Sequence, residues 1–387
     1  MLIKNNSDRI ITPNFLALFG AVFLMFTAID FYIPVLPFYV IHVGGDEAAV
    51  GLLMGLFTFC SVVLRPFQGR DLNRHGKKRL LVMGMALYAS AGIGLLFLPS
   101  LHLLYFFRAV QGFGWGAFLL TFNTLTLDLA PPEKRGEVVG LMGIAPPFSL
   151  AIAPLISERL MITTAANYRL LFILTLGAAL LALLLGVLFR DPAGQNKLAE
   201  RAPLFSRKVI VPSLIIFCMT FNLGSLLTFL PLFGESRDIH AVGYFFTIFA
   251  VTTIFSRPLA GKLSDRLGRP RVFLPGLLVA AVAMVMIAFA HSAPQLMLAA
   301  FILGVGFGSA HSSVMAMAAD RLAVLERGVG MATFTTAFDL GIVAGSVVLG
   351  LLLSLVGFTV LFMLCALIMA LPLIGFMIKY RKMFPSS

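Results

Sequence analysis

The sequence predicts an all-α membrane protein of twelve transmembrane helices, arranged as two parallel six-helix bundles related by a pseudo-two-fold axis along the membrane normal. Three observations predict it. The 387 residues are 59% hydrophobic and 12% charged, with a mean hydropathy of +0.98, whereas a soluble domain is about a quarter charged. Apolar runs of the roughly 20 residues needed to cross a hydrocarbon core recur along the whole chain. The sequence also matches itself when shifted by 192 residues.

Taken in order, the segment Met1 to Pro13 is polar and carries Lys4 and Arg9. The apolar run that follows, Asn14 to Val40, is too long for a signal-peptide core and no small-residue cleavage site follows it, so it reads as a retained first span. Further spans are expected at 47–69, 79–99, 102–128, 136–160 and 168–190. After a polar stretch they resume at 209–234, 240–262, 271–291, 294–320, 327–354 and 356–380. The polar stretch, DPAGQNKLAERAPLFSRK, is the longest after the N-terminus and reads as a cytoplasmic linker. It divides the chain into a bundle at 1–190, a linker at 191–208 and a second bundle at 209–387.

The net charge of +12 would point to nucleic acid in a soluble protein, but its distribution points elsewhere. Of 29 Lys and Arg, 25 fall on the side of the two termini, Arg159, Arg169 and Arg237 fall on the other, and Arg108 lies within a span. Such a split follows the positive-inside rule, so both termini are expected in the cytoplasm and the chain in the inner, cell membrane. The three cysteines, Cys60, Cys218 and Cys365, sit singly in apolar runs and read as small buried hydrophobes.

At the 192-residue shift, RPFQGRDLNRHGKKR (Arg65 to Arg79) lies on RPLAGKLSDRLGRPR (Arg257 to Arg271) without a gap. The same shift carries Gly112, Gly114 and Gly116 onto Gly304, Gly306 and Gly308, and Asp128 onto Asp320. Six spans per repeat bring the second copy in from the same side as the first. Parallel halves of this kind rock about a midplane site and expose it alternately.

These residues resemble the major facilitator superfamily over nearly the whole chain. Its loop signature is a glycine, then Asp-Arg four residues on, then Gly and basic residues. Gly261, Asp265, Arg266, Gly268 and Arg269 match it fully; Gly69, Asn73, Arg74, Gly76, Lys77 and Lys78 match except that Asn73 replaces the aspartate. The resemblance implies that the aspartate holds the cytoplasmic ends of the halves together, and that the arginine pairs with an acid ending the fourth helix of its repeat. By position those acids are Asp128 and Asp320. Asn73 still caps a helix but carries no charge, which leaves two readings: a weakened lock in the first repeat, or a loop needing only a polar turn. RAVQGFG (Arg108 to Gly114) resembles the helix-4 signature of proton-coupled members. The glycine-proline motif that antiporters carry on helix 5 survives in AIAPLISE (Ala151 to Glu158) only as Pro154.

Charges at membrane depth are costly and are functional candidates by default. Asp30, Arg108, His311 and Asp339 form the expected central polar site. Asp30 reads either as the residue taking the proton or a substrate cation, or as the fixed partner of Arg108. Its repeat counterpart is Asn222. Arg108 cannot deprotonate, so it either holds Asp30 ionised until substrate or a proton competes, or clamps backbone carbonyls between helices 1 and 4. His311 and Asp339 read as a second titratable pair, with packing as the alternative for His311. Glu158, near the outer end of helix 5, reads as facing water. Arg108, Trp115 and Phe122 recur every seven residues, with Gln111 and Asn123 close to that stripe. With Phe26, Asn222, Phe334 and Phe338 they are the expected lining of an aromatic cavity for a small amphipathic substrate.

No Walker A stretch, HExxH, GxSxG or metal-spaced cluster is present in the sequence. Without a nucleotide site any pumping draws on an ion gradient or a partner. The resemblance then implies proton-coupled export of a small organic or drug-like molecule by a monomer in the lipid bilayer, with no cofactor, metal or nucleic acid expected. Two transport alternatives stand beside it. One is uptake or facilitated transport of a sugar or other metabolite; the other is export of an opine-type metallophore, whose exporters RPFQGR, TFLPLF and DLGI resemble. A membrane-embedded enzyme or a sensor is disfavoured, because the titratable residues are scattered and no soluble domain is appended.

Overall fold

The computed structural model describes residues 11–63, 76–97, 100–129, 135–164, 167–191, 205–240, 242–323 and 326–383. Gly69, Asn73, Arg74 and most of the expected linker lie outside them. Among the described residues the regular structure is helical. The first half runs α1 (Pro13–Asp30), α2 (Leu36–His42), α3 (Glu47–Val63), α4 (Lys77–Leu96), α5 (Leu101–Asp128), α6 (Arg135–Met142), α7 (Ala145–Thr163) and α8 (Tyr168–Leu188). The second half runs α9 (Ile210–Ser236), α10 (Val242–Leu267), α11 (Arg269–Ala288), α12 (Ala293–Ala319) and α13 (Arg327–Met383).

Twelve crossings follow once length is compared with bilayer thickness. Among the described residues, ten helices are long and apolar enough to span. The 57 residues of α13 would reach about 85 Å as one rod, far beyond the roughly 30 Å hydrocarbon core. Gly357 breaks it with φ 71° and ψ 169°, so α13 supplies two crossings. The short α3 supplies the twelfth, α1 with α2 make one broken crossing, and α6 with α7 make another.

Helix starts are set by local chemistry. Thr12 caps α1 by accepting from the Phe15 N–H at 3.1 Å, with Pro13 at the first helical position. Asp46 accepts from Ala49 N at 2.7 Å at the head of α3, and Asn167 from Leu170 N at 3.1 Å at the head of α8. Gly76 and Gly268, one repeat apart, enter α4 and α11 with φ of 89° and 92°. A side chain would strain that left-handed turn. Asn14 exchanges two hydrogen bonds with the Arg190 backbone, tying the start of α1 to the end of the sixth crossing.

Small residues let the crossings approach, and they do so twice. A Cβ on Gly114 would lie 2.5 Å from the Gly84 carbonyl oxygen, binding α5 to α4; the counterpart on Gly306 would lie 2.7 Å from the Gly276 oxygen, binding α12 to α11. Gly112 sits against the Phe57 carbonyl and Gly304 against the Phe249 carbonyl, again 192 residues apart. Lipid tails provide no hydrophobic drive between helices, so close backbone packing of this kind is what holds them. Leu184, Phe255, Leu259 and Leu355 point outward and are exposed, as a lipid-facing belt requires.

The halves meet chiefly along two helix pairs, α3 with α13 and α7 with α10, with α9 also touching α2 and α3. Both contacts lie at the end of the bundle opposite the termini, called here the far end. A Cβ on Gly51 would lie 2.3 Å from the Ser346 carbonyl oxygen, and one on Gly55 would lie 2.3 Å from Val347 Cγ2.

Candidate functional site

The first-half centre is built around a helix break. Pro34 has no N–H to give the Asp30 carbonyl, and its ring would clash there if the helix continued. The chain instead tightens, with Ile33 N donating to Asp30 O at 3.2 Å, turns through 31–35 and resumes as α2. Asp30 is thereby left at the C-terminal end of a half-helix inside the bundle, 8% exposed. Ser149 of α7 donates its hydroxyl to the carboxylate at 2.7 Å. Among the described residues no cation lies within ion-pair distance of it.

Arg108, on α5, is 1% exposed and equally without a counter-ion among the described residues. Its Nη1 donates to Gln111 Oε1 at 3.0 Å, and Nη2 reaches the Met54 sulfur at 3.9 Å. The guanidinium lies 4.3 Å from the Phe57 ring centre and 5.0 Å from that of Tyr32, two faces that replace part of its hydration. Gln111 in turn donates to the Tyr32 hydroxyl at 3.3 Å. The Arg108 Nε and the Tyr88 hydroxyl are buried without a hydrogen bond of good geometry, although the hydroxyl lies beside the guanidinium. The structure thus separates the acid and the base that a fixed ion pair would join. Neither reading of Arg108 as the Asp30 partner or as a carbonyl clamp describes its contacts.

An aromatic wall adjoins this centre. Trp115 packs edge-on to Phe26 at 4.9 Å, and touches Phe118 at 5.2 Å, Phe57 at 6.1 Å and Tyr88 at 6.2 Å; Phe122 stacks on Phe118 at 6.1 Å. Asn123 stands apart: one residue past Phe122, it is turned about 100° round the helix and is exposed. In the second half, Asn222 donates to the Cys218 carbonyl of its own helix at 2.8 Å, leaving its Oδ1 buried and unpartnered. His311 stacks on Phe307 and meets Phe338 edge-on, each at 5.9 Å. Phe334 is buried one turn before Phe338, and Asp339 follows half-buried. Arg257 is near enough for its charge to act on His311. The charge split places it with the basic residues on the side of the termini, but α10 runs to Leu267 and the Arg257 Nε is buried inside the bundle.

At the end carrying the termini, the two acids take basic partners at one offset. Lys77 pairs with Asp128, and 192 residues on Arg269 holds Asp320 through Nε at 2.9 Å. Arg269 also binds Ser264 Oγ at 2.9 Å and Asp265. The partner of Asp320 is therefore Arg269 and not Arg266, which is exposed. The left-handed turn at Gly268 directs the next residue back over the loop. Asp265 is held within its own half.

At the far end Glu158 does not simply face water. Its two carboxylate oxygens accept from the backbone N–H groups of Val242 at 2.9 Å and Gly243 at 2.7 Å, across the two halves. Sequence reasoning missed this residue, along with Ser149 and Arg257. Only Arg257 had a signal, its place in the repeated Arg-Pro motif.

The major facilitator superfamily profile matches residues 18–241 and 213–385. The chain belongs to the major facilitator superfamily. It is thus a membrane transporter and not an enzyme. Similar proteins include the staphylopine export protein of Staphylococcus aureus, 24% identical over 390 residues covering 96% of this chain and 98% of that one. The multi-drug resistance efflux pump PmrA of Streptococcus pneumoniae is 24% identical over 315 residues, covering 76% of this chain and 78% of that one. The fold is shared with the nucleoside transporter NupG at a TM-score of 0.78 and 12% identity, over 94% of this chain and 99% of that one.

Proposed function

We propose that this transporter is a proton-coupled exporter of small organic molecules, working as a monomer by alternating access between the bundles 1–190 and 209–387. The observation that carries the reading is Asp30: a carboxylate inside the bundle, at a broken crossing, with a serine hydroxyl as partner and no cation beside it among the described residues. Discontinuous helices mark ion and substrate sites in transporters, and a carboxylate that must alternate between charged and neutral cannot be locked in a salt bridge. A proton neutralises it for one leg of the cycle, and substrate competes for it on the other. The aromatic wall around Trp115 suits an amphipathic substrate. Relatives named as an efflux pump and as an export protein support outward movement. With the positive-inside rule, the termini lie in the cytoplasm and the far end lies outside the cell membrane.

One observation favours a second substrate reading. Arg108 is a buried guanidinium without an acid among the described residues, a costly arrangement that an anionic group on the substrate would relieve. A carboxylate-bearing, opine-like chelator fits, and the relative matched over 96% of the chain is named for exporting staphylopine.

Protein reconstituted into liposomes tests the proposal. Substrate added under a pH gradient should move protons, and Asp30→Asn should remove that movement while leaving a folded protein. Wild-type exchange indifferent to the gradient would sink the coupling. Comparing resistance and extracellular metabolites between cells overexpressing wild type and Asp30→Asn identifies the substrate.

A further inference from the structure

Among the described residues, four hydrogen bonds from one half to the other gather at the far end, where α7 lies along α10. Glu158 receives Val242 N and Gly243 N; Thr247 Oγ1 donates to the Ala151 carbonyl at 2.5 Å; Arg159 donates to the Tyr244 hydroxyl. The first of these is unlike an ordinary surface pair. The leading N–H groups of a helix have no partner within it, and they carry the positive end of the helix dipole. In α10 the first two of those groups are satisfied by a carboxylate that belongs to the other half of the molecule. When the halves separate at this end, α10 loses its cap and Glu158 loses both donors.

The packing around the carboxylate is close. A Cβ on Gly243 would lie 2.6 Å from Glu158 Oε2 and 2.7 Å from the Leu155 Cα, so only glycine at this position allows the approach. On its other side Glu158 lines a cavity of about 300 Å³, together with Phe38, Tyr168, Pro231 and His240, residues of both halves. Loss of the contact therefore has somewhere to admit water. Among the described residues, no carboxylate accepts from backbone N–H groups across the second seam, where Gly51 meets Ser346.

We propose that Glu158 is the positioning residue that latches the far-end gate, holding the halves closed there by capping α10 in trans. It sets how often the gate opens and, like the gate itself, rests on the alternating-access reading above. A carboxylate is suited to the task because charge-assisted bonds to backbone N–H are strong when dry and cheaply exchanged for water when wet. A hydrophobic contact would have neither property.

The test reads the gate directly. Spin labels at Arg169→Cys and Pro294→Cys, with Cys60, Cys218 and Cys365 replaced by alanine, report the distance between the halves at the far end. Glu158→Ala should raise the ratio of open to closed populations roughly tenfold, the change that 1.4 kcal/mol makes in an equilibrium. Glu158→Gln, which keeps an acceptor and loses the charge, should fall between it and wild type. Thr247→Val, milder for folding, should shift the ratio in the same direction. Melting temperatures of the same variants separate gating from damage, since a purely structural cap would lower them and leave the distance distribution unmoved. Distributions unchanged in Glu158→Ala and Thr247→Val, while wild type opens under a pH gradient, would overturn the latch and leave alternating access standing. A wild type that never opens under any gradient, while Glu158→Ala does open, would support the latch and count against the transport cycle proposed above.

Discussion

Arg108 shows how one residue can be costly and retained. Burying an unpaired guanidinium costs several kcal/mol. Two ring faces, at about 2 kcal/mol each when desolvated, and one bond to Gln111 return part of it. The remainder is the cost of keeping a permanent cation at the site proposed above to meet the cargo. Replacing it with an apolar chain of similar length should therefore spare the fold and remove the function. We expect Arg108→Met to melt within a few degrees of wild type, or above it, while losing nearly all transport. Arg108→Lys should also lose most of its activity, because an ammonium cannot stack between Tyr32 and Phe57 as a planar guanidinium does. Melting and uptake assays on the same preparations check both.

At the scale of elements, the break after α1 and the glycine seams are the parts that must move or must not. Pro34→Ala restores an N–H to the chain and lets the Asp30 carbonyl take its i+4 partner, so α1 and α2 should join into one helix. The carboxylate then loses its place at a helix end, and turnover measured in liposomes should fall severalfold with little loss of stability. Gly51→Ala acts on the other kind of element. Its Cβ would meet the Ser346 carbonyl at 2.3 Å and the Gly350 Cα at 3.0 Å, backbone atoms that cannot turn aside. The far-end spin-label pair should read a larger open population in this variant.

On the scale of the whole molecule, the repeat is near-symmetric in contacts and unequal in energy. Lys77 and Asp128 are 10% and 21% exposed, whereas Arg269 and Asp320 are 22% and 55% exposed. Exposed pairs contribute about 0–1 kcal/mol, while a half-buried partner left alone costs about 1–3 kcal/mol. Asp128→Ala should thus lower the melting temperature more than Asp320→Ala does, and raised salt should narrow the gap little. Equal losses would show that solvent screens the two ends alike.

The sequence by itself determined what depends on one residue and its neighbours along the chain. Hydropathy marks twelve crossings because lipid demands about 20 apolar residues at each. The 192-residue shift pairs Lys77 with Arg269 and Gly84 with Gly276, since equal local sequence makes equal turns and equal approaches. Asp30 and Arg108 stood out because any charge at membrane depth is conspicuous. Only the tertiary structure decided what those charges face. Asp30 is held by Ser149, 119 residues away, and Arg108 by aromatic faces, neither of which has a signature at fixed spacing. The turn at Gly268 chose Arg269 over Arg266 as the partner of Asp320. Glu158 was illegible for the plainest reason: its partners are backbone N–H groups, which every residue but proline carries, so nothing in a sequence tells which of them a carboxylate will meet across two halves.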